Sequence, residues 1–168
     1  MRELDNDMKE PRRKPNRLIN YDYSSNGAYF VTICTEKRKK LFCEIVGDGF
    51  AVPLQPGIVA AQWVEKIPIQ YPVVSVDHYV VMPNHIHLLL RFESVQGTAD
   101  PSPTLGAVVG WYKYQVTREL CNGLDSRARV FQRSFHDHVI RGNADYQYIW
   151  EDIDTNPLRW TLDCHYVE

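Results

Sequence analysis

The sequence predicts an α+β protein in which the helices pack on one face of an antiparallel sheet. Segments rich in β-branched and aromatic residues alternate along the chain with segments whose apolar residues recur at helical spacing. A Pro-Asn turn at 83–84 separates two of the apolar segments and indicates a hairpin. The chain has 168 residues, 44% of them hydrophobic, which is enough for one domain with a buried core, and it shows no internal repeat.

The chain begins with a charged segment that precedes the first predicted strand. Residues 1–20 carry many charges and few large apolar groups, which is typical of a flexible basic arm. Residues 28–35 are rich in β-branched and aromatic side chains and predict a strand. A short second strand is predicted over 41–46, and the glycines of 47–49 end it.

A helix and a β-hairpin are predicted next. Apolar residues at helical spacing predict a helix over 57–70, which Pro68 and Pro72 end. Residues 73–82 and 85–92 predict the two strands of the hairpin, because both are rich in β-branched and other apolar residues.

The last third of the chain predicts a helix, a strand and another helix. Thr104 can cap a helix that runs to about residue 120, with an apolar inner stripe. A strand is predicted over 130–140. Asn143 can cap a final helix through about residue 155, and Pro157 limits it because the residue before a proline avoids helical geometry.

Composition argues against a secreted or membrane protein. The charged N-terminus lacks the apolar core of a signal peptide, and no apolar run approaches the roughly 18 residues that span a bilayer. The four cysteines form no C-x-x-C pair, so we expect reduced thiols in a cytosolic protein without a membrane partner. The net charge of −2 argues against a general nucleic-acid coat protein, although basic residues cluster locally.

The most informative residues are His85 and His87. Side chains alternate between the two faces of a strand, so both imidazoles project from the same side of the predicted hairpin. Two neighbouring imidazoles supply two-thirds of a metal site, and the third ligand must come from elsewhere. Structural histidines would give the same pattern, so the pair alone does not decide between the two interpretations.

Several blocks of sequence carry a resemblance to a known family. The segment M-P-N-H-I-H-L-L-L over 82–90 resembles the His-hydrophobic-His signature of the HUH single-strand transposases and nucleases. Residues 21–35, 131–141 and 153–157 resemble the REP-associated tyrosine transposases, a branch of that superfamily, in the family's order. The blocks span most of the chain after the arm, and the resemblance implies a single transposase-like domain over 21–168.

The resemblance also implies a fold, a chemistry and a partner. It implies a ferredoxin-like fold and metal-dependent cleavage and strand transfer of single-stranded DNA beside a hairpin. A divalent metal, Mn²⁺ or Mg²⁺, would lie on His85 and His87 with the Asn156 amide assisting. The expected partner is single-stranded or hairpin DNA, which would place the protein at the nucleoid, and the family allows monomers and homodimers.

The sequence departs from the family at the nucleophile. The family's tyrosine lies four residues before the amide, and Asp152 stands in that position relative to Asn156. In one hypothesis the chain binds DNA while its nicking activity is absent or impaired. In a second, Tyr148 substitutes, since residues 148, 152 and 156 share a helix face, although its hydroxyl would start about 5.4 Å away.

In a third hypothesis, Asp152 joins the metal ligands and a metal-activated water hydrolyses the DNA. An engineered replacement of the tyrosine would give the same sequence.

Basic and aromatic side chains are candidates for contacts with DNA. Solvated surface is the alternative for each of them, and a histidine-bearing α+β domain that binds protein partners is the alternative for the whole chain. The candidates lie in the arm, after the first strand, on the helix predicted from Thr104 and around the strand predicted over 130–140: Arg12, Arg13, Lys14, Lys37, Arg38, Lys39, Lys113, Tyr114, Arg118, Arg133 and Arg141.

Overall fold

The computed structural model describes residues 22, 26–93, 102–121 and 129–167. The elements in these ranges are β1 (Gly27–Cys34), β2 (Cys43–Val46), β3 (Phe50–Pro53), α1 (Gln55–Glu65), α2 (Ile67–Gln70), β4 (Val74–Val81), β5 (His85–Phe92), α3 (Leu105–Cys121), β6 (His136–Val139) and α4 (Asn143–Thr155). Two 3₁₀ segments, Glu36–Arg38 and Pro157–Leu162, complete the set. The predicted arm, with Arg12, Arg13 and Lys14, lies outside the described residues.

Four strands form one antiparallel sheet in the order β4-β5-β1-β6. β1 pairs with β5 along its whole length, in a register that sets Cys34 opposite His85 and Thr32 opposite His87. This antiparallel sheet with packed helices confirms the predicted ferredoxin-like α+β class. The register places two side chains of the neighbouring strand beside the histidine pair.

Helices cover both faces of the sheet, which explains why β5 is buried along most of its length. The even-numbered residues of β5 join α1 and α3 in the larger core. On the other face, Leu89 packs against Ile149 and Ile153 of α4. His85 and His87 lie on the Leu89 face because side chains alternate along a strand. The prediction that the helices pack on one face therefore holds for α1 and α3. α4 lies on the opposite face, because its apolar stripe contacts Leu89.

The helix predicted over 57–70 is divided into α1 and α2, which meet at Lys66. Pro68 has no N–H to donate to the carbonyl four residues earlier, and its ring would collide with that carbonyl. A new helix therefore starts, with Pro68 in its first turn. α1 begins earlier than predicted because Pro56 also suits a first helical turn.

The second predicted strand does not join the main sheet. β2 pairs with β3, which the sequence analysis did not predict, and the two form a separate hairpin. β5 and β6 occupy both edges of β1, so no edge of β1 is free for β2. The hairpin turn uses φ angles of 55° at Gly47 and 101° at Gly49, which glycine adopts without steric cost.

The strand predicted over 130–140 is shorter than expected, because β6 begins at His136. The Lys113 ammonium donates to the carbonyls of Gln132 and Arg133, at 2.6 and 3.0 Å. Those carbonyls are thereby withdrawn from pairing with a neighbouring strand. β4, β5, α3 and α4 confirm the predicted elements within a few residues. No helix in the described ranges combines the length and apolar composition needed to cross a bilayer.

Candidate metal centre

His85 and His87 lie at the start of β5 with their imidazoles side by side. Their Nε2 atoms are 3.0 Å apart, and the ring centroids are 4.5 Å apart. Neighbouring ligands at about 2.1 Å from an octahedral ion lie roughly 3.0 Å from each other. The separation of the two nitrogens therefore suits two ligands of one divalent ion.

Two neighbouring side chains fix the orientation of the imidazoles. Asn84 Oδ1 lies 2.9 Å from His85 Nδ1 and accepts its proton, because an amide oxygen cannot donate. The Asn84 amide is held in this orientation because its Nδ2 donates to two backbone carbonyls, at 3.3 and 2.8 Å. Thr32 Oγ1 lies 2.9 Å from His87 Nδ1 and can accept its proton in the same way. Both Nε2 lone pairs then point toward the space between the rings.

Burial keeps both imidazoles neutral at physiological pH. His85 is 0% exposed and His87 is 5% exposed. Burial lowers the pKa of His85 to about 3, with smaller effects from His165 and Arg38. Burial, assisted by the neighbouring His85, lowers the pKa of His87 well below its ordinary value. Neutral imidazole is the form that binds metal ions.

Asp163 brings a carboxylate to the histidine pair. Its Oδ2 lies 3.7 Å from His85 Nε2, and its side chain is 7% exposed. His85, His87 and Asp163 offer ligand atoms that all lie within 4.8 Å of one another. Asp163 was not among the ligands predicted from the sequence. A signal exists in the run Asp163-Cys164-His165, three residues with ligand-type side chains, but nothing in that run indicates that it returns to β5.

Asn156, the predicted amide ligand, is buried at the end of α4. Its Oδ1 atom is buried and accepts no hydrogen bond from the residues that the structure describes. A buried acceptor that lacks a partner costs about 1–3 kcal/mol. The side chain lines the same cavity as His87 and Asp163, where a cation would supply the missing partner. The residues at this centre therefore fit a divalent ion.

The cavity beside the histidines has a volume of about 390 Å³ and is also lined by Asp152 and Arg159. Asp152 is half-buried, and burial raises the pKa of its carboxyl, while Arg159 opposes this effect. Tyr148 is 68% exposed and is not among the described residues that line the cavity. Asp152 therefore lines the same cavity as His87, whereas Tyr148 does not line it.

The basic run after β1 lies at the histidine end of the sheet. Lys37 and Arg38 have left-handed φ angles of 55° and 54°, which are uncommon for side chains other than glycine. Lys39 follows them and is exposed. The Arg38 guanidinium donates to the Cys164 carbonyl at 3.1 Å, and its own carbonyl accepts from Asn84. Three of the predicted DNA contacts therefore lie beside the metal centre.

The other predicted DNA contacts lie farther from the histidines. Tyr114 and Arg118 are on α3, which covers the opposite face of the sheet, and the Arg118 guanidinium lies 5.8 Å from the Tyr114 ring centroid. The Lys113 ammonium is bonded to backbone carbonyls. Arg133 and Arg141 are exposed on either side of β6. Their contacts with DNA stay predictions.

Comparisons with known proteins complete the description of the site. No protein-family model matches the chain. An uncharacterized protein of Haemophilus influenzae is 33% identical over 174 residues, which cover 93% of this chain and 94% of that protein. A structure of a REP-associated tyrosine transposase bound to a REP hairpin superposes with a TM-score of 0.60 and 21% identity, over 88% of this chain and 74% of the other. At that identity, the likeness shows a shared fold.

Proposed function

We propose that this chain binds single-stranded or hairpin DNA at a divalent-metal centre on β5. The chain belongs to the same family as the uncharacterized Haemophilus influenzae protein, and it has the fold of a REP-associated tyrosine transposase. The observation that carries this proposal is the pairing of the His85 and His87 Nε2 atoms at 3.0 Å, with each Nδ1 atom held by a neighbouring side chain.

The ligands of the ion would come from β5, α4 and the C-terminal segment. His85 and His87 would bind through Nε2, and Asp163 and Asn156 would add oxygen ligands. A mixture of nitrogen and oxygen ligands suits Mn²⁺ better than Mg²⁺, which prefers oxygen. When bound, the ion neutralises negative charge on a phosphate oxygen.

Other residues of the cavity would hold the DNA strand. The exposed Arg159 guanidinium can pair with a phosphate through two parallel hydrogen bonds. The Phe30 ring lies beside His87, with the ring centroids 4.9 Å apart, and offers a face on which an unpaired base can stack. Lys37 and Lys39 extend the positive surface away from the cavity.

None of the described residues that line the cavity is a tyrosine. Asp152, which stands at the family's tyrosine position in sequence, lines the cavity, whereas Tyr148 does not. If the Asp152 carboxylate attacked phosphorus, the mixed anhydride formed would hydrolyse readily and the strands would not be rejoined. We therefore infer that DNA binding is retained and that tyrosine-type strand transfer is lost.

One observation favours DNA hydrolysis as a second candidate function. Asp152 lines the same cavity as Asp163, so a second carboxylate is available beside the one that would bind the ion. Burial raises the pKa of Asp152, which strengthens it as a base. Asp152 would accept a proton from water as the water oxygen bonds to phosphorus. The bond from phosphorus to the leaving strand would break, which leaves two free strand ends.

DNA binding can be tested by fluorescence anisotropy with a labelled hairpin that carries a single-stranded tail. In the presence of Mn²⁺ we expect the full chain to bind the hairpin more tightly than a duplex of the same sequence, with affinity that falls as salt rises. A chelator and the His87→Ala change should each weaken binding. His138→Ala is the matched control, because His138 is exposed and bonded to Asp145 at 2.9 Å. Equal affinity for hairpin and duplex, or full binding by His87→Ala, would contradict the proposal.

A further inference from the structure

A second group of metal-binding side chains lies at the end of β1, next to the histidine pair. Cys34 Sγ lies 3.7 Å from His165 Nδ1. Asp163, Cys164 and His165 offer three ligand atoms within 4.8 Å of one another. The proposed DNA binding uses neither thiol and does not use His165, whereas the Asp163 carboxylate is common to both groups.

The distance between the sulfur and the imidazole nitrogen fits a shared ion. Zinc binds sulfur at about 2.3 Å and imidazole nitrogen at about 2.0 Å, so the two ligands of a tetrahedral ion lie roughly 3.6 Å apart. The observed distance from Cys34 Sγ to His165 Nδ1 is 3.7 Å. The two side chains therefore already stand at the separation that one tetrahedral ion requires.

The fold brings two cysteines together that are distant in sequence. Both Cys34 and Cys164 are free thiols, the first buried and the second exposed. Burial raises the pKa of Cys34, and the Cys164 thiol adds a smaller contribution in the same direction. Reduced cysteines without a C-x-x-C pair were predicted, because no local spacing relates Cys34 to Cys164.

Hydrogen bonds hold the C-terminal donors in place without an ion. Asn84 Nδ2 donates to the His165 carbonyl at 2.8 Å, and the Arg38 guanidinium donates to the Cys164 carbonyl at 3.1 Å. The His165 backbone N–H donates to Asp163 Oδ1. Donors that are already ordered lose little conformational entropy when an ion binds.

The local charges also favour a divalent cation. The thiolates of Cys34 and Cys164 and the Asp163 carboxylate would together carry three negative charges. Burial raises the pKa of Cys34, and Arg38, which supplies one positive charge nearby, opposes this effect. A divalent ion would balance the remaining two charges, which makes burial of the group less costly.

We propose that Cys34, Cys164 and His165, with the Asp163 carboxylate, form a second metal site that takes a thiophilic divalent ion of the Zn²⁺ class. Thiolate and imidazole ligands select such ions over Mg²⁺ and Mn²⁺. Three of these ligand atoms lie within 4.8 Å of one another, and Cys34, 3.7 Å from His165, would move toward the ion as the fourth ligand of a structural site. Each thiol proton passes to solvent as its sulfur bonds to the ion, so binding weakens as pH falls. The ion fixes the C-terminal segment against the end of β1.

The test uses Co²⁺ as a spectroscopic probe of the full chain, after chelation and in the presence of a non-thiol reductant. Charge-transfer absorption from thiolate to Co²⁺ reports sulfur ligation directly, and no DNA is present. We expect one Co²⁺ per chain to give this absorption and Zn²⁺ to displace it. Cys164→Ser should remove much of the absorption and weaken binding by at least about tenfold. Because Cys164 is exposed, this change leaves the core intact.

Two controls separate this site from the histidine pair. Cys121→Ser removes a thiol on α3 and should leave the absorption unchanged. His87→Ala should abolish Mn²⁺ binding at the proposed DNA site while the cobalt–thiolate absorption persists. Absence of the absorption in the unaltered chain would overturn the proposal. So would an unchanged spectrum in Cys164→Ser, or rapid oxidation of Cys34 and Cys164 to a disulfide that Zn²⁺ does not slow.

Discussion

The Nε2 atoms of His85 and His87 lie 3.0 Å apart in a site where neither imidazole is more than 5% exposed. With the Nδ1 protons directed to Asn84 and Thr32, the two Nε2 lone pairs face each other. Without a cation, the two nitrogens repel each other or share a proton. With a cation between them, both lone pairs bind it and the repulsion is removed. Metal binding and the stability of the fold are therefore coupled at this point.

The hydroxyl of Thr32 should determine metal affinity through His87. Thr32→Val removes the acceptor of the His87 Nδ1 proton, so the ring loses its fixed orientation. Loss of such a supporting hydrogen bond typically weakens metal binding by about 10–100-fold. We expect a loss in this range for Mn²⁺, measured by isothermal titration calorimetry. Thr32→Ser keeps the hydroxyl and should bind nearly as well as the unaltered chain; equal affinity in all three proteins would refute the role of this hydrogen bond.

Replacement of Asn156 should separate metal binding from stability. Asn156→Leu removes a buried oxygen that has no hydrogen-bond partner within the described ranges, so the metal-free protein should keep its free energy of unfolding or gain about 1 kcal/mol. The stabilisation that Mn²⁺ adds should decrease, because one oxygen ligand is lost. Urea denaturation with and without Mn²⁺ measures both quantities. A large loss of stability in the metal-free protein would instead assign Asn156 a structural role.

Stability of the metal-free protein should fall as the pH is lowered below about 6.5. The folded state holds the pKa of His85 at about 3, against 6.5 ordinarily, so the unfolded state binds more protons between these values. The free energy of unfolding therefore decreases as pH falls through this window, by up to about 1.4 kcal/mol per pH unit for each buried histidine. Urea denaturation of chelator-treated protein measures the slope. His87→Gln should reduce the slope.

The basic run should contribute more to DNA affinity than the pair on α3. Lys37 and Lys39 lie at the histidine end of the sheet, whereas Arg118 lies on the helix that covers the opposite face. Each lysine that contacts a phosphate contributes about 0.7 to the slope of log affinity against log salt for single-stranded DNA. We expect Lys37→Ala and Lys39→Ala to reduce this slope by about that amount, and Arg118→Ala to change it less. A larger effect of Arg118→Ala would place the DNA on α3.

Much of the sheet and half of the candidate centre were predictable from local sequence. The alternation of a strand puts His85 and His87 on one side, and the helical repeat puts Asp152 and Asn156 on one face of α4. Asp163 could not be predicted in the same way. Its approach to His85 depends on the 3₁₀ helix Pro157–Leu162, which turns the chain back toward β5 and follows no apolar periodicity.

The elements that differ from prediction have tertiary causes. β2 and β3 pair with each other because β5 and β6 already occupy the edges of β1, which local sequence does not show. The late start of β6 follows from Lys113, a residue on α3 whose ammonium bonds the carbonyls before the strand. Likewise, no spacing rule relates Cys34 to His165, and only the fold brings their side chains together.

The central claim is that this chain holds DNA at a metal centre in which Asp152 has replaced the attacking tyrosine. The most direct measurement incubates end-labelled single-stranded hairpin DNA with Mn²⁺ and either the unaltered chain or Asp152→Tyr, followed by a denaturing gel. We predict no covalent protein–DNA adduct for the unaltered chain and an adduct for Asp152→Tyr that the added change His87→Ala abolishes. Cleavage by the unaltered chain without an adduct would favour the second candidate, hydrolysis. An adduct with the unaltered chain, or none with Asp152→Tyr although it binds the hairpin, would contradict the account.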